Sequence, residues 1–156
     1  PDLSFVNRVD SMDSDADVVV VFGGTNDFGH GDAKLGTFES RDPYTFYGAM
    51  HVLCEKLINR FPNADILFMT PLHRCSEDEV SKENGLPEET NLAGYVSIIR
   101  EVAEFYGLPV LDLFSTSGLQ PKVDIIKETY MPDGLHPSDA GALRIALRLM
   151  GFLQTL

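Results

Sequence analysis

The run Asp17-Val18-Val19-Val20-Val21-Phe22-Gly23 constrains this chain more than any other stretch. Valine is stiff at χ1 and favours extended backbone. A strand with one wet face alternates apolar and polar residues. An unbroken apolar run instead predicts a strand covered on both faces. Such strands belong to parallel sheets, whose neighbouring strands are joined by crossover helices. Asp17 and Gly23 bound the run with turn-forming residues.

The remaining sequence supplies the helices and more strands. Ser4 to Met12 predicts a short helix, with Phe5, Val9 and Met12 at helical spacing and Ser4 as a cap candidate. A long polar, glycine-bearing loop is expected from about Thr25 to Asp42. Asp42 as N-cap and Pro43 at the first helical position predict a helix start. Tyr47, Met50, Leu53, Cys54, Leu57, Ile58 and Phe61 then give one apolar face, ended by Pro62-Asn63. Ala64 to Thr70 predicts a second strand. Glu77 to Glu89 is charged, with Gly85 and Pro87, and predicts a mobile loop or short surface helix. Asn91 to Tyr106 predicts a helix that buries Leu92, Tyr95, Val96, Ile99, Val102 and Ala103, with Gly107 as its stop. Pro109 to Phe114 predicts a third strand, and a polar irregular stretch follows. The last helix is expected from Ser138 or Asp139 to Gln154, with Leu143, Ile145, Ala146, Leu149, Met150 and Leu153 facing the core. Strand and helix alternate, which argues for an α/β fold with a parallel sheet, read as one domain over residues 1–156.

Charge and cysteine content narrow the partners. The net charge of −12 repels phosphate backbones and anionic lipid, so no nucleic-acid partner is expected. No apolar run approaches the roughly 18 residues of a membrane span. Two cysteines, Cys54 and Cys75, do not make a disulfide framework. They read as free thiols in a reducing compartment, which points to a cytoplasmic location. His30, His51, His73 and His136 show no paired ligand spacing, so neither a metal nor another cofactor is expected. His51 is expected on a helix surface.

Two short constellations carry chemistry. Gly23-Gly24-Thr25-Asn26-Asp27 leaves the first strand at its carboxyl end, where open α/β sheets bind ligands. Glycine permits a sharp turn there. The Asn26 side chain has an NH₂ that can donate to a developing oxyanion; its alternative is a local bond within its own loop. In Asp133-Gly134-Leu135-His136-Pro137, the two polar residues stand three apart in a turn. The carboxylate can hold the imidazole in one tautomer and stabilise its protonated form. The alternative is a surface turn that caps the next helix.

Taken together and in this order, the two blocks resemble those of the SGNH, or GDSL-type, serine hydrolases. Gly24-Thr25-Asn26-Asp27 is similar to one family block and Asp133 to Pro137, followed by Gly141, to another. The resemblance implies a flavodoxin-like three-layer α/β/α sandwich with a parallel sheet. It implies His136 as general base, Asp133 as the residue that orients it, and Asn26 as an oxyanion-hole donor. Gly24 would shape the oxyanion loop, and Asp27 would hold it. The implied activity is hydrolysis of a small-molecule, carbohydrate or lipid ester through an acyl-enzyme, with an acetyl group on a sugar as the first substrate to consider. Phe28, His73 and Arg74 are candidates for substrate contact, with His30 beside Phe28. Phe28 follows Asn26, and His73 and Arg74 follow the second strand.

The chain departs from the family pattern at its nucleophile, which normally stands in Gly-Asp-Ser. Here Gly31-Asp32 is followed by Ala33. A Gly-x-Ser-x-Gly elbow is also missing, which argues against a standard α/β-hydrolase. Ser115 and Ser117 follow the third strand but match no family block. The expectation is a sandwich without its first strand, first helix and second strand, with a serine-bearing βαβ portion of about 30 residues or more upstream of Pro1. The edge so left open would make the piece poorly soluble or pair it as a homodimer. An expectation of a different class is a non-catalytic binding module that keeps the pocket without a nucleophile. The coding sequence upstream of Pro1 separates the two.

Overall fold

A computed structural model describes residues 4–30, 34–79 and 90–156. Gly31-Asp32-Ala33 and most of the predicted polar loop, residues 80–89, lie outside the described residues. Helix α1 (Phe5–Arg8) is capped by Ser4, whose side chain accepts the N–H of Asn7, and runs into a 3₁₀ turn at Val9–Ser11. Strand β1 (Val18–Phe22) follows, then a short helix α2 (Thr25–His30). Helix α3 (Phe46–Arg60), strand β2 (Asp65–Met69) and helix α4 (Leu92–Phe105) come next. Strand β3 (Val110–Leu111), helices α5 (Leu113–Thr116) and α6 (Asp124–Tyr130), and helix α7 (Asp139–Leu153) complete the order.

Among the described residues, the strands form one parallel sheet in the order β1-β2-β3. Val18 pairs with Asp65 and Phe22 with Met69; Phe68 pairs with Val110 and Met69 with Leu111. The period-2 rule sorts β2 between two cores. Ile66 and Phe68 join Leu57, Ile99 and Val102 under α3 and α4. Leu67 and Met69 join Leu111 and Met131, against which Ile145, Leu149, Phe152 and Leu153 of α7 pack. Helices therefore cover both faces of the sheet at β2. Each leucine buried as fully as Leu57 and Leu67 contributes roughly 1.5–3 kcal/mol relative to exposure.

At β1 the covering is one-sided. Val19 is buried, but Val18, Val20 and Phe22 are 43%, 39% and 42% exposed. The expectation of a strand buried on both faces is thus corrected. The second core draws on β2 and β3 but on no residue of β1. On α7, Leu143 and Met150 were expected in the core, and Ala146 with them. All three are exposed, as is Leu147, while Ile145, Leu149 and Leu153 pack inward.

Other differences are local. The loop expected from Thr25 contains α2, pinned by the burial of Phe28. Asp42 does not cap α3. Its side chain accepts the N–H of Tyr44 at 3.0 Å and its carbonyl accepts that of Thr45 at 3.0 Å, which makes a turn. Thr45 is the cap instead, accepting the N–H of Gly48 at 3.2 Å. The third strand is short because Asp112 caps α5, accepting the N–H of Ser115. The polar stretch before Asp133 holds α6. His51, expected at a surface, is fully buried. Its Nδ1 lies 3.0 Å from the Tyr106 hydroxyl, edge-on to Phe38 and Phe105. Burial, and then Arg41, push its pKa down.

Candidate active site

Parallel strands aim their carboxyl ends the same way, so the segments leaving β1, β2 and β3 emerge on one edge of the sheet. After β1, Gly24 has φ +102°, a region that side chains rarely adopt, and a Cβ there would lie 3.1 Å from Ile99 Cδ1 and 3.3 Å from Pro71 Cγ. That turn feeds α2, where the Gly24 carbonyl accepts the N–H of Phe28 at 3.2 Å. The helix leaves Asn26 exposed and turns Phe28 inward. Phe28 is 3% exposed and meets Tyr95 edge-on, so its ring packs into the core. His30 is exposed at the end of α2.

The turn between α6 and α7 assembles the acid and the imidazole. Gly134 takes φ +77°, and its N–H donates to the Met131 carbonyl at 2.8 Å. Asp133 Oδ1 accepts the backbone N–H groups of Leu135 at 2.8 Å and His136 at 2.7 Å. Asp133 Oδ2 lies 2.6 Å from His136 Nδ1. The His136 side chain, then the two backbone N–H groups, hold the Asp133 carboxyl well below the usual carboxylate range. A carboxylate at Nδ1 fixes the proton on that nitrogen and leaves Nε2 as the basic one. Both side chains are largely exposed. Ser138 secures the turn's far side: its N–H donates to the Tyr130 carbonyl, its hydroxyl donates to the Thr129 carbonyl, and it caps α7 through Gly141.

The segment after β2 links these two blocks. Arg74 lies 5.4 Å over the Phe28 ring, and its Nη1 donates to the Thr25 carbonyl at 3.4 Å. The next residue, Cys75, donates its N–H to the Gly134 carbonyl at 2.9 Å. Two adjacent residues thus touch the Asn26 helix on one side and the His136 turn on the other. His73 stacks on Phe114 with ring centroids 3.9 Å apart, and its Nδ1 lies 2.6 Å from Glu77 Oε2. Sequence reasoning placed Glu77 in a charged surface loop, yet it is buried. Burial pushes its pKa up, but hydrogen bonds from Lys122, His73 and Gln120 outweigh that and lower it. The four-residue spacing of His73 and Glu77 was the available signal, and the turn over 75–78 brings the two together.

The serines after β3 are occupied locally. Ser115 Oγ accepts from Arg100 at 2.9 Å, while Ser117 is buried and its Oγ accepts the N–H of Leu119 at 3.2 Å. Arg100 also pairs with Asp112 at 2.7 Å. Cys54 is buried and Cys75 exposed, both as free thiols. No described helix is long and apolar enough to cross a membrane.

The model of the GDSL-like lipase/acylhydrolase family matches residues 3–144. A protein from Lactobacillus plantarum, known by crystal structure, is 32% identical with a TM-score of 0.84; the match covers 96% of this chain and 72% of that one. A second crystal structure is 40% identical, with a TM-score of 0.83 over 97% of this chain and 70% of the other. The lipase/acylhydrolase from Enterococcus faecalis shares the fold at 21% identity, with a TM-score of 0.60 over 89% of this chain and 62% of that one. No curated protein matches. With the family match spanning nearly all of its length and the Asp133–His136 pair on the turn before the last helix, this chain belongs to the GDSL-like lipase/acylhydrolase family.

Proposed function

We propose that the protein hydrolyses a carboxylic ester through an acyl-enzyme, with His136 as general base and Asp133 orienting it. The carrying observation is the double hold of Asp133 on His136, through Nδ1 and through the backbone N–H. In this reading a serine hydroxyl attacks the ester carbonyl and its proton passes to His136 Nε2. The alcohol leaves with that proton. Water then attacks the acyl-enzyme and gives a proton to His136, which passes it to the serine oxygen as the acyl–oxygen bond breaks and the acid departs. The Asn26 amide donates to the oxyanion in both steps. His73 and Arg74, on the segment after β2, border the substrate.

The nucleophile completes this reading. None of the 156 residues stands in a Gly-Asp-Ser motif. In the flavodoxin-like arrangement β1, β2 and β3 are the third, fourth and fifth strands, and the serine belongs at the carboxyl end of a strand paired to the open edge of β1. Among the described residues β1 pairs with β2 on one edge and leaves its other edge unpaired, which supports that placement. The test is turnover of aryl esters, acetyl to long-chain, by the complete gene product and its His136→Ala variant. Turnover that vanishes in the variant supports the reading. Turnover retained within twofold removes His136 from the chemistry, and phosphonate labelling of Ser115 or Ser117 moves the nucleophile elsewhere.

A further inference from the structure

Glu77 is a carboxylate placed where a surface residue was expected, and its contacts are numerous. Oε2 lies 2.6 Å from His73 Nδ1 and accepts the backbone N–H of Arg74 at 3.2 Å. Oε1 accepts from Gln120 Nε2 at 3.1 Å and pairs with Lys122 Nζ at 3.0 Å. Its carbonyl accepts the N–H of Leu92, the first residue of α4, at 3.1 Å. A buried carboxylate without such partners would be strongly unfavourable, so the donors and the acid hold one another in place.

The segment fixed this way is the one that reaches both family blocks. Arg74 extends to Thr25, the residue before Asn26. Cys75 donates to Gly134, inside the turn whose Asp133 orients His136. The contact with that turn is close, because a Cβ at Gly134 would lie 2.5 Å from Cys75 Sγ. The Arg74 backbone N–H, held by Glu77, is one residue from the Cys75 N–H that holds the turn. The two N–H groups stand on consecutive peptide planes joined at the Arg74 Cα, so a shift in the first moves the origin of the second.

We propose that Glu77 is a positioning residue for the hydrolytic site: its buried carboxylate sets the His73–Cys75 segment, which in turn sets the Asn26 helix against the Asp133–His136 turn. The inference rests on the ester-hydrolase reading for what the positioning serves, but its structural part is read without turnover. A residue that only added stability would loosen the whole molecule evenly. A positioning residue loosens the segment and the turn first.

Amide hydrogen exchange on the chain, followed by NMR, separates the two. In Glu77→Gln, exchange at Cys75, Leu135 and His136 is expected to rise about tenfold, while Leu67 and Phe68 in the central strand stay within about twofold of wild type. In the ester-cleaving gene product the same variant should lower kcat about tenfold at nearly unchanged KM, and Glu77→Asp should recover part of that loss. Should Glu77→Gln not fold, Gln120→Ala removes one donor and leaves the charge, and a smaller rise confined to the same three amides is expected. Wild-type exchange at all three amides in a folded variant overturns the proposal, as does a rise that includes Leu67 equally. If His136→Ala keeps turnover while the exchange pattern appears, the hydrolytic reading fails and the mechanical link stands. If His136→Ala is inactive and the exchange pattern is absent, the failure belongs to Glu77.

Discussion

Asp133 holds His136 at two places at once, with Oδ2 2.6 Å from the imidazole Nδ1 and Oδ1 2.7 Å from the backbone N–H. The first contact sets the ring's tautomer, the second its origin on the chain. Removing the carboxylate by Asp133→Ala loses both, and in the ester-cleaving gene product kcat should fall by orders of magnitude, though by less than in His136→Ala, because orienting residues commonly cost less than the groups they orient. Steady-state kinetics on the two variants decides it. An Asp133→Ala enzyme as active as wild type would contradict the assignment.

Asn26 stands exposed on α2, two residues after Gly24. If it donates to the oxyanion as proposed, Asn26→Ala should lower kcat by about 10²–10³ with an unchanged melting temperature. A kcat within twofold of wild type takes Asn26 out of the mechanism.

Gly134 combines a left-handed φ of +77° with a neighbour, Cys75 Sγ, 2.5 Å from where a Cβ would stand. The conformation alone should cost Gly134→Ala about 1–2 kcal/mol, and the contact adds to it. In a Cys75→Ala background the sulfur is gone and the loss should be smaller. Denaturant melts of the two singles and the double measure the coupling; strict additivity would show that the two residues do not press on one another.

His51 contributes a pH dependence whose sign follows from its burial. Burial holds its folded pKa below the ordinary histidine value of 6.5, so the unfolded chain takes up the proton first. The contribution is complete above pH 6.5 and is lost as the pH falls toward the folded value. The melting temperature should therefore drop as the pH falls below 6.5, and His51→Gln should flatten that part of the curve. Identical slopes in the two proteins would place the dependence on other groups.

The exposed apolar face of β1, made by Val18, Val20 and Phe22, should make the chain self-associate. Val20→Lys puts a charge between Val18 and Phe22 on that face and should shift the chain toward monomer in sedimentation. Wild-type protein that stays monomeric at high micromolar concentration would show that this face does not drive association.

Elements with long apolar periodicity were legible in the sequence. α3, α4 and α7 carry apolar residues that repeat over 14 or 15 residues; the buried faces of α3 and α4 follow, while on α7 Leu143, Ala146 and Met150 turn out exposed. The strand at Val18 was legible too, but its burial was not, because an unbroken apolar run states what a strand can tolerate and not what stands over it. Short elements escaped where one side chain decides them. Asp112 ends β3 after two residues by capping α5, and Asp42 spends its capping capacity on a turn. At the site, Asp133 and His136 were legible because three residues separate them. Glu77 had a local signal in its spacing from His73, but its burial was not legible, because its partners Gln120 and Lys122 lie more than forty positions away.

β2 places Ile66 and Phe68 in one core and Leu67 and Met69 in the other. A single five-residue strand is therefore the shared wall of both. Neither set of helices can part from it without exposing side chains that the other set's strand neighbours depend on. Loosening travels across the wall, so the molecule should lose its structure in one cooperative transition, with coincident midpoints for probes on either side of the sheet.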